Sequence, residues 1–309
     1  MTIPRTKRTS TSEPAGAAPT DDREPAHQAE RPPVLVTSET AAKEARLRTT
    51  VATLGSTIVA FSGGVDSAYL ASVATRVLGD NALCVTADSP SYPDHHRQLA
   101  LRSARQLGLR HEIVHTGELA RDDYRANPVN RCYYCKHELY TFLSQLARTR
   151  GFAAIADGSN ADDRGDYRPG RAAAREFGVR SPLDEVGLTK DEIRVLARNA
   201  GVPVWDEPAS ACLSSRIPYH SEVTAAKLKM IERAEAALHE LGFRVCRVRH
   251  HDTLARLEFG ADEMPRAVDA AMFRDIVARL RAIGYQDVTV DSRGYRQGSL
   301  NDGLQLRPV

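Results

Sequence analysis

The sequence is short of several things at once. Between Ile3 and Val34 it has no Val, Ile, Leu, Met, Phe, Tyr or Trp. Nothing there can offset the entropy lost on ordering, so residues 1 to about 36 are expected to form a disordered tail. The tail lacks the apolar segment of a secretory signal, and its five basic and five acidic residues are unlike an acid-poor transit peptide. Elsewhere no apolar run approaches the roughly 20 residues needed to span a bilayer. Charge excess is missing too: 42 basic side chains face 40 acidic ones, a net of +2, which gives no argument for a nucleic-acid or membrane surface. Cysteine is sparse and odd in number, five in 309 residues. That count argues against a disulfide framework and for a reducing cytoplasm in which thiols serve metal or catalytic use. No internal repeat is evident.

What is present suits an ordinary soluble protein of about two domains. From residue 40 the pattern alternates. Apolar strands are expected at 57–61, 82–86, 111–115 and 152–156, with helices at 41–54, from Asp66, 93–107, 134–148 and 189–200. The last of these carries the capping-box spacing Thr189-x-x-Glu192. Strands alternating with helices predict an α/β domain, a parallel sheet covered on both faces, over residues 37–215. The remainder, 216–309, reads as a smaller α+β domain: a helix through Met230 and Leu238, strands at 243–249 and 253–259, a helix over 265–283 and a strand at 285–291. Cys84 and Cys246 fall mid-strand and are expected in the core.

The first chemical motif is Ser62-Gly63-Gly64-Val65-Asp66-Ser67, set directly between a strand and a helix. Glycines let the backbone approach an anion, the serines add hydroxyl donors, and the helix start supplies free N–H groups and a positive dipole. The segment predicts a phosphate cradle. Neither Gly-Lys-Ser/Thr nor G-x-G-x-x-G follows, which excludes a Walker loop and a dinucleotide fingerprint.

The second is Asn127-Pro-Val-Asn-Arg131-Cys132-Tyr-Tyr-Cys135-Lys136, joined by a third cysteine in Pro208-Ala-Ser-Ala-Cys212-Leu-Ser-Ser-Arg216-Ile-Pro-Tyr219. Three thiols, with 76 residues between the second and third, fit either zinc completed by a histidine or an iron-sulfur cluster with one iron open. Arg131 and Lys136 are expected to favour thiolate. A polar loop, 157–170, containing Asp163, follows a strand, where α/β proteins place ligands. In the small domain Arg247 and Arg249 share a strand face, and a hairpin would put Arg256 and Glu258 on the same face, a cluster that suits a phosphate or carboxylate ligand.

The glycine-rich loop resembles the PP-loop of ATP pyrophosphatases, with their adenine nucleotide alpha hydrolase-like, Rossmann-like fold. Together with Ser181-Pro-Leu183, Gly187-Leu-Thr-Lys190, the Cys212 string and Gly294-Tyr-Arg296-x-Gly-Ser-Leu-Asn301, the chain resembles the LarE family over most of residues 40–303. That resemblance implies an ATP-dependent sulfurtransferase using ATP and Mg²⁺, held at Ser62, Gly63, Gly64, Asp66, Ser67 and Asp163. The implied acceptor is pyridinium-3,5-biscarboxylic acid mononucleotide, bound by Arg247, Arg249, Glu235, Glu258 and Arg296, for the nickel-pincer nucleotide of lactate racemase. Cys212, Cys132, Cys135 and Arg216 would be catalytic, the three thiols holding a [4Fe-4S] cluster. In the other branch of the family the cysteine at the Cys212 position gives up its own sulfur. Inorganic sulfide or another sulfur donor, a cytoplasmic setting and a homo-oligomer, hexameric by resemblance, are implied as well, with no nucleic-acid or membrane partner. Where the family string ends in Tyr-Gly, this chain has Tyr219-His220. The nearest rival, a tRNA-thiolating PP-loop enzyme, should carry a basic RNA-binding module.

Overall fold

The structure is a computed structural model that describes residues 34–165, 167–209, 211–296 and 298–301. Of the expected tail, residues 1–33 lie outside the described residues. Val34 is held: its N–H donates to Asn199 Oδ1 at 2.9 Å and its carbonyl accepts from Asn199 Nδ2 at 2.8 Å.

Helix α1 (Ser38–Thr53) leads into β1 (Thr57–Ala60), the phosphate loop, α2 (Val65–Leu78), β2 (Ala82–Asp88), α3 (Asp94–Gln106) and β3 (His111–His115). A short α4 (Asp122–Arg125), the long α5 (Arg131–Arg150) and β4 (Ala154–Ala156) follow, then α6 (Gly170–Glu176), α7 (Pro182–Glu185) and α8 (Lys190–Asn199). The four strands are parallel in the order β3-β2-β1-β4, with Thr57 beside both Ala82 and Ala154. Period-two alternation sorts them cleanly. Val59 and Cys84 join the core shared with α1, α2, α3 and α8, while Ile58, Ala60, Leu83 and Val85 join that of α5 and α6. This is the expected covered parallel sheet, and it puts the C-terminal ends of β1 and β4 side by side.

The second sheet is smaller. After α9 (Ala225–Glu240), β5 (Cys246–His251) and β6 (Leu254–Phe259) pair antiparallel. Helices α10 (Met264–Ala267) and α11 (Ala270–Ile283) return the chain to β7 (Asp287–Val290), parallel to β6. The sequence predicts one helix over 265–283; the break comes at Asp269, whose carboxylate accepts from the Ala271 and Met272 N–H groups and caps a new start. Cys84 and Cys246 are both fully buried, as core thiols should be. No described helix is long and apolar enough to cross a membrane.

Candidate active site

The phosphate loop is built by close approach. Gly63 has φ +71°, and a Cβ there would lie 2.7 Å from Ala100 Cβ on α3; Gly158, after β4, would meet the Ser67 nitrogen at 2.8 Å. Gly63 therefore lets the loop after β1 pack against α3, and Gly158 lets the loop after β4 pack on the start of α2. The Ser67 hydroxyl accepts from Ser62 N–H at 3.2 Å and donates to the Gly64 carbonyl at 3.0 Å, fixing the loop's curvature.

Asp66 points from the first turn of α2 toward Lys190, with which it forms an ion pair. Burial raises the Asp66 carboxyl above its ordinary range, against the opposing pull of Lys190. One of its oxygens is buried with no hydrogen-bond partner. Asp163, 6% exposed, adds negative charge nearby and pairs with Arg168 at 3.0 Å. An orphaned carboxylate oxygen beside a second carboxylate is an arrangement that a divalent cation completes. Lys190 is a residue that motif reading passed over as part of a family string; its spacing from Asp66 carries no signal.

A helix expected from Tyr134 would leave Cys132 ahead of its start, whereas α5 starts at Arg131, so Cys132 and Cys135 stand one turn apart on a single helix face. Cys212 arrives just before a short 3-10 turn, Leu213–Arg216. Each of Cys132 and Cys135 lies within electrostatic reach of Cys212. Cys132 is exposed as a residue although its thiol group lies in desolvating surroundings, and the other two residues are partly covered. Burial pushes the Cys132 thiol up, with Arg131 and Lys136 pulling the other way; it raises Cys135 strongly, helped by the Glu118 carboxylate. The expected cationic activation is present in sign, and desolvation outweighs it. The donor set is all thiol, which suits a thiophilic group. As the side chains stand, no three His, Cys, Asp or Glu among the described residues are arranged to hold a metal ion.

The predicted hairpin register is found, with Arg247 opposite Glu258 and Arg249 opposite Arg256. Arg247, Arg249 and Glu258 of that face are buried while Arg256 is partly exposed, and most of the charge is matched within the protein. Arg249 holds Glu258 with two bonds of 2.9 and 2.7 Å, and Arg216 holds Glu235. Arg247, 6% exposed, has no carboxylate in ion-pair contact among the described residues. It donates to the Cys246 and Ala209 carbonyls and lies over the Tyr295 ring at 4.8 Å. Burial and the neighbouring Arg216 hold its pKa down.

Arg216, Glu235 and Arg247 line a cavity of about 460 Å³ between α3 and α9. At its rim the His95 and His239 rings stack at 5.3 Å, and burial, with His95 next, pushes His96 down to about 4. Arg296 is exposed on the segment after β7, and Ser299 of that segment donates to Glu258.

A parallel sheet whose first strand delivers Ser-Gly-Gly-x-Asp-Ser to a helix start, with a carboxylate left open beside it, defines a PP-loop ATP-using enzyme. Residues 44–162 match the asparagine synthase family. The chain is 44% identical to an uncharacterised protein of Synechocystis sp. over 79% of this chain and 91% of that one. It is 37% identical to the pyridinium-3,5-bisthiocarboxylic acid mononucleotide synthase of Lactiplantibacillus plantarum, over 85% and 95% respectively. A glutamine-hydrolysing GMP synthase of Aeropyrum pernix is 27% identical over 59% of this chain and 39% of its own length. The chain belongs to the LarE family of ATP-dependent sulfurtransferases.

Proposed function

We propose that the chain converts the carboxylates of pyridinium-3,5-biscarboxylic acid mononucleotide into thiocarboxylates, a step toward the nickel-pincer nucleotide. The observation that carries this is the bridge from the start of α5, where Arg131 precedes Cys132, to the Ser214 carbonyl two residues past Cys212 at 3.0 Å, on a chain 37% identical over 85% of its length to the L. plantarum synthase. A carboxylate is a poor electrophile. Its oxygen attacks the α-phosphorus of ATP, the bond to pyrophosphate breaks, and an acyl-adenylate forms. The loop N–H groups and Ser62 and Ser67 receive the phosphates, and Asp66 with Asp163 would hold Mg²⁺, which neutralises charge on the departing pyrophosphate. Sulfur then attacks the acyl carbon, the carbon–oxygen bond to AMP breaks, and the thiocarboxylate remains.

In the preferred version Cys132, Cys135 and Cys212 would hold a [4Fe-4S] cluster, which when bound supplies a transferable sulfide. Arg247, with no carboxylate in ion-pair contact among the described residues and only the electrostatic influence of Glu235, is the first candidate for an acceptor anion; Arg249 and Glu258 shape the wall beside it. The same reading gives nucleotide binding to residues 37–215 and acceptor binding to 216–309, in a cytoplasmic homo-oligomer. A second version has Cys212 donate its own sulfur and become dehydroalanine. It is favoured by the lack of a preformed three-ligand set among the described residues.

One experiment separates the versions. ATP, Mg²⁺, the pyridinium mononucleotide and excess sulfide are combined without oxygen, and product and protein are both weighed. More than one thiocarboxylate per chain at unchanged protein mass supports the cluster version. Loss of one hydrogen sulfide from Cys212 supports the sacrificial one, and no thiocarboxylate at all refutes the function. Cys212→Ala should abolish transfer in both, and Cys132→Ala only in the first.

A further inference from the structure

The two thiol-bearing segments are far apart in sequence, and one buried side-chain network joins them. Asn127 is fully buried with φ +53°. Its Nδ2 donates to the carbonyls of Pro218 at 2.7 Å and Ser221 at 3.0 Å, while its backbone carbonyl accepts from the His220 N–H at 2.9 Å. These bonds fix the amide: nitrogen toward the carbonyls, and Oδ1 toward Arg131, which donates to it. The same guanidinium nitrogen of Arg131 donates to the Ser214 carbonyl at 3.0 Å, two residues past Cys212. Arg131 is 2% exposed, opens α5, and is followed at once by Cys132. Among the described residues it has no carboxylate within ion-pair reach. A buried guanidinium costs several kcal/mol of desolvation unless something compensates.

We infer that Asn127 and Arg131 are positioning residues: they clamp the C-x-x-C turn to the Cys212 segment and set the distance over which the three thiols can act on one group. This rests on reading those thiols as the sulfur centre. Each residue does a different part. Asn127 holds the return loop 217–221 from behind, its left-handed φ being one that Asn tolerates better than most side chains. Arg131 bridges from that amide to the carbonyl beside Cys212, so the start of α5 and the 3-10 turn cannot drift apart without stranding a buried cation.

Arsenite tests the clamp on the reduced, metal-free full chain. Arsenous acid condenses with three thiols: three S–H and three As–O bonds break, three As–S bonds form, and three waters leave without any change of oxidation state. In the wild type, native mass spectrometry should show one arsenic per chain, and alkylation should find Cys132, Cys135 and Cys212 all protected. Arg131→Met and Asn127→Gly, the latter keeping the backbone conformation accessible, should leave Cys212 open to alkylation and raise the half-saturating arsenite about tenfold or more through lost effective concentration. Arg131→Lys, with the charge and one donor kept, should fall between.

Tyr124→Phe is the comparison. It removes the 2.6 Å hydroxyl bond to Ser214 Oγ and the hydroxyl's interaction with Ser91 while leaving the Asn127 and Arg131 bonds in place, and an equal loss there would mean general loosening and overturn the assignment. So would wild-type arsenite binding in any folded clamp variant, or a wild type that never protects Cys212. If Arg131→Met does not fold, Asn127→Gly decides. A clamp that behaves as described on a chain that makes no thiocarboxylate sinks the functional reading alone. Intact transfer with an arsenite response that ignores both residues sinks the clamp alone.

Discussion

Arg216 grips Glu235 with two bonds, Nε to Oε1 at 2.8 Å and Nη2 to Oε2 at 2.9 Å, and both side chains are buried. The pair crosses from the turn after Cys212 to α9. Glu235 Oε1 also accepts the Val248 N–H of β5 at 3.0 Å. One carboxylate thus connects the thiol turn, a helix and the small sheet, with Arg247 close by.

Glu235→Ala should therefore be costly. It leaves Arg216 and Arg247 facing each other in a buried place, and breaking such a pair costs about 3–5 kcal/mol. Urea unfolding monitored by circular dichroism should show the loss, and an unchanged midpoint would contradict it.

Gly63→Ala and Gly158→Ala should spoil nucleotide binding by different routes. The first adds a Cβ 2.7 Å from Ala100 at a φ of +71°, and the second presses on the Ser67 nitrogen. Strain of about 1–3 kcal/mol is expected from such a forced position. Calorimetric titration with a non-hydrolysable ATP analogue should show weaker binding in both; wild-type affinity in Gly158→Ala would mean that the two loops do not need their close approach.

Asp66→Asn removes the carboxylate that pairs with Lys190 through one oxygen and leaves the other buried without a partner. Magnesium needed for half-maximal adenylation should rise about 10–100-fold, the range typical of disturbed metal shells. Pyrophosphate release against magnesium concentration measures it, and superimposable curves would exclude Asp66 from the cation site.

Glu192 ties α8 to α1. It accepts from Thr40 Oγ1 and Lys43 Nζ, both at 2.9 Å, and closes the capping box on Thr189. Burial works against its ionised form, yet the bonds from Lys43, Thr189 and Thr40 win and hold it near 2 against an ordinary 4.5. The contribution is complete above about 4.5 and is lost as pH falls through about 2. With partial solvent screening it amounts to about 2 kcal/mol. Glu192→Gln should lower the melting temperature at pH 7 and bring it closer to that of the wild type below pH 3; a constant gap would exclude the linkage.

Much of the site's placement was readable because it follows local rules. Period-two alternation in 57–61 and 82–86 fixed which core each side chain enters, and the glycine pair between strand and helix placed the phosphate loop. The capping box at Thr189-x-x-Glu192 was legible for the same reason. Long-range partners were not. Lys190 meets Asp66, and Asn127 meets the 217–221 loop, across spacings that no periodicity encodes. Arg249 illustrates the limit: its face was predicted correctly, but pairing with Glu258 and closure by Ser215 and Ser299 depend on tertiary burial. Asp269 is a nearer miss, since an acidic cap inside an apolar helical pattern is visible in sequence once looked for.

The two core thiols give the chain an internal pair of unfolding reporters. Cys84 lies in the parallel sheet with burial pushing its pKa up to about 12, and Cys246 lies in the small sheet, also raised by burial. In the native chain a maleimide should label from the sulfur-centre set and leave these two untouched. Heating or denaturant then exposes one label site per sheet, so the order in which they appear tells which half opens first.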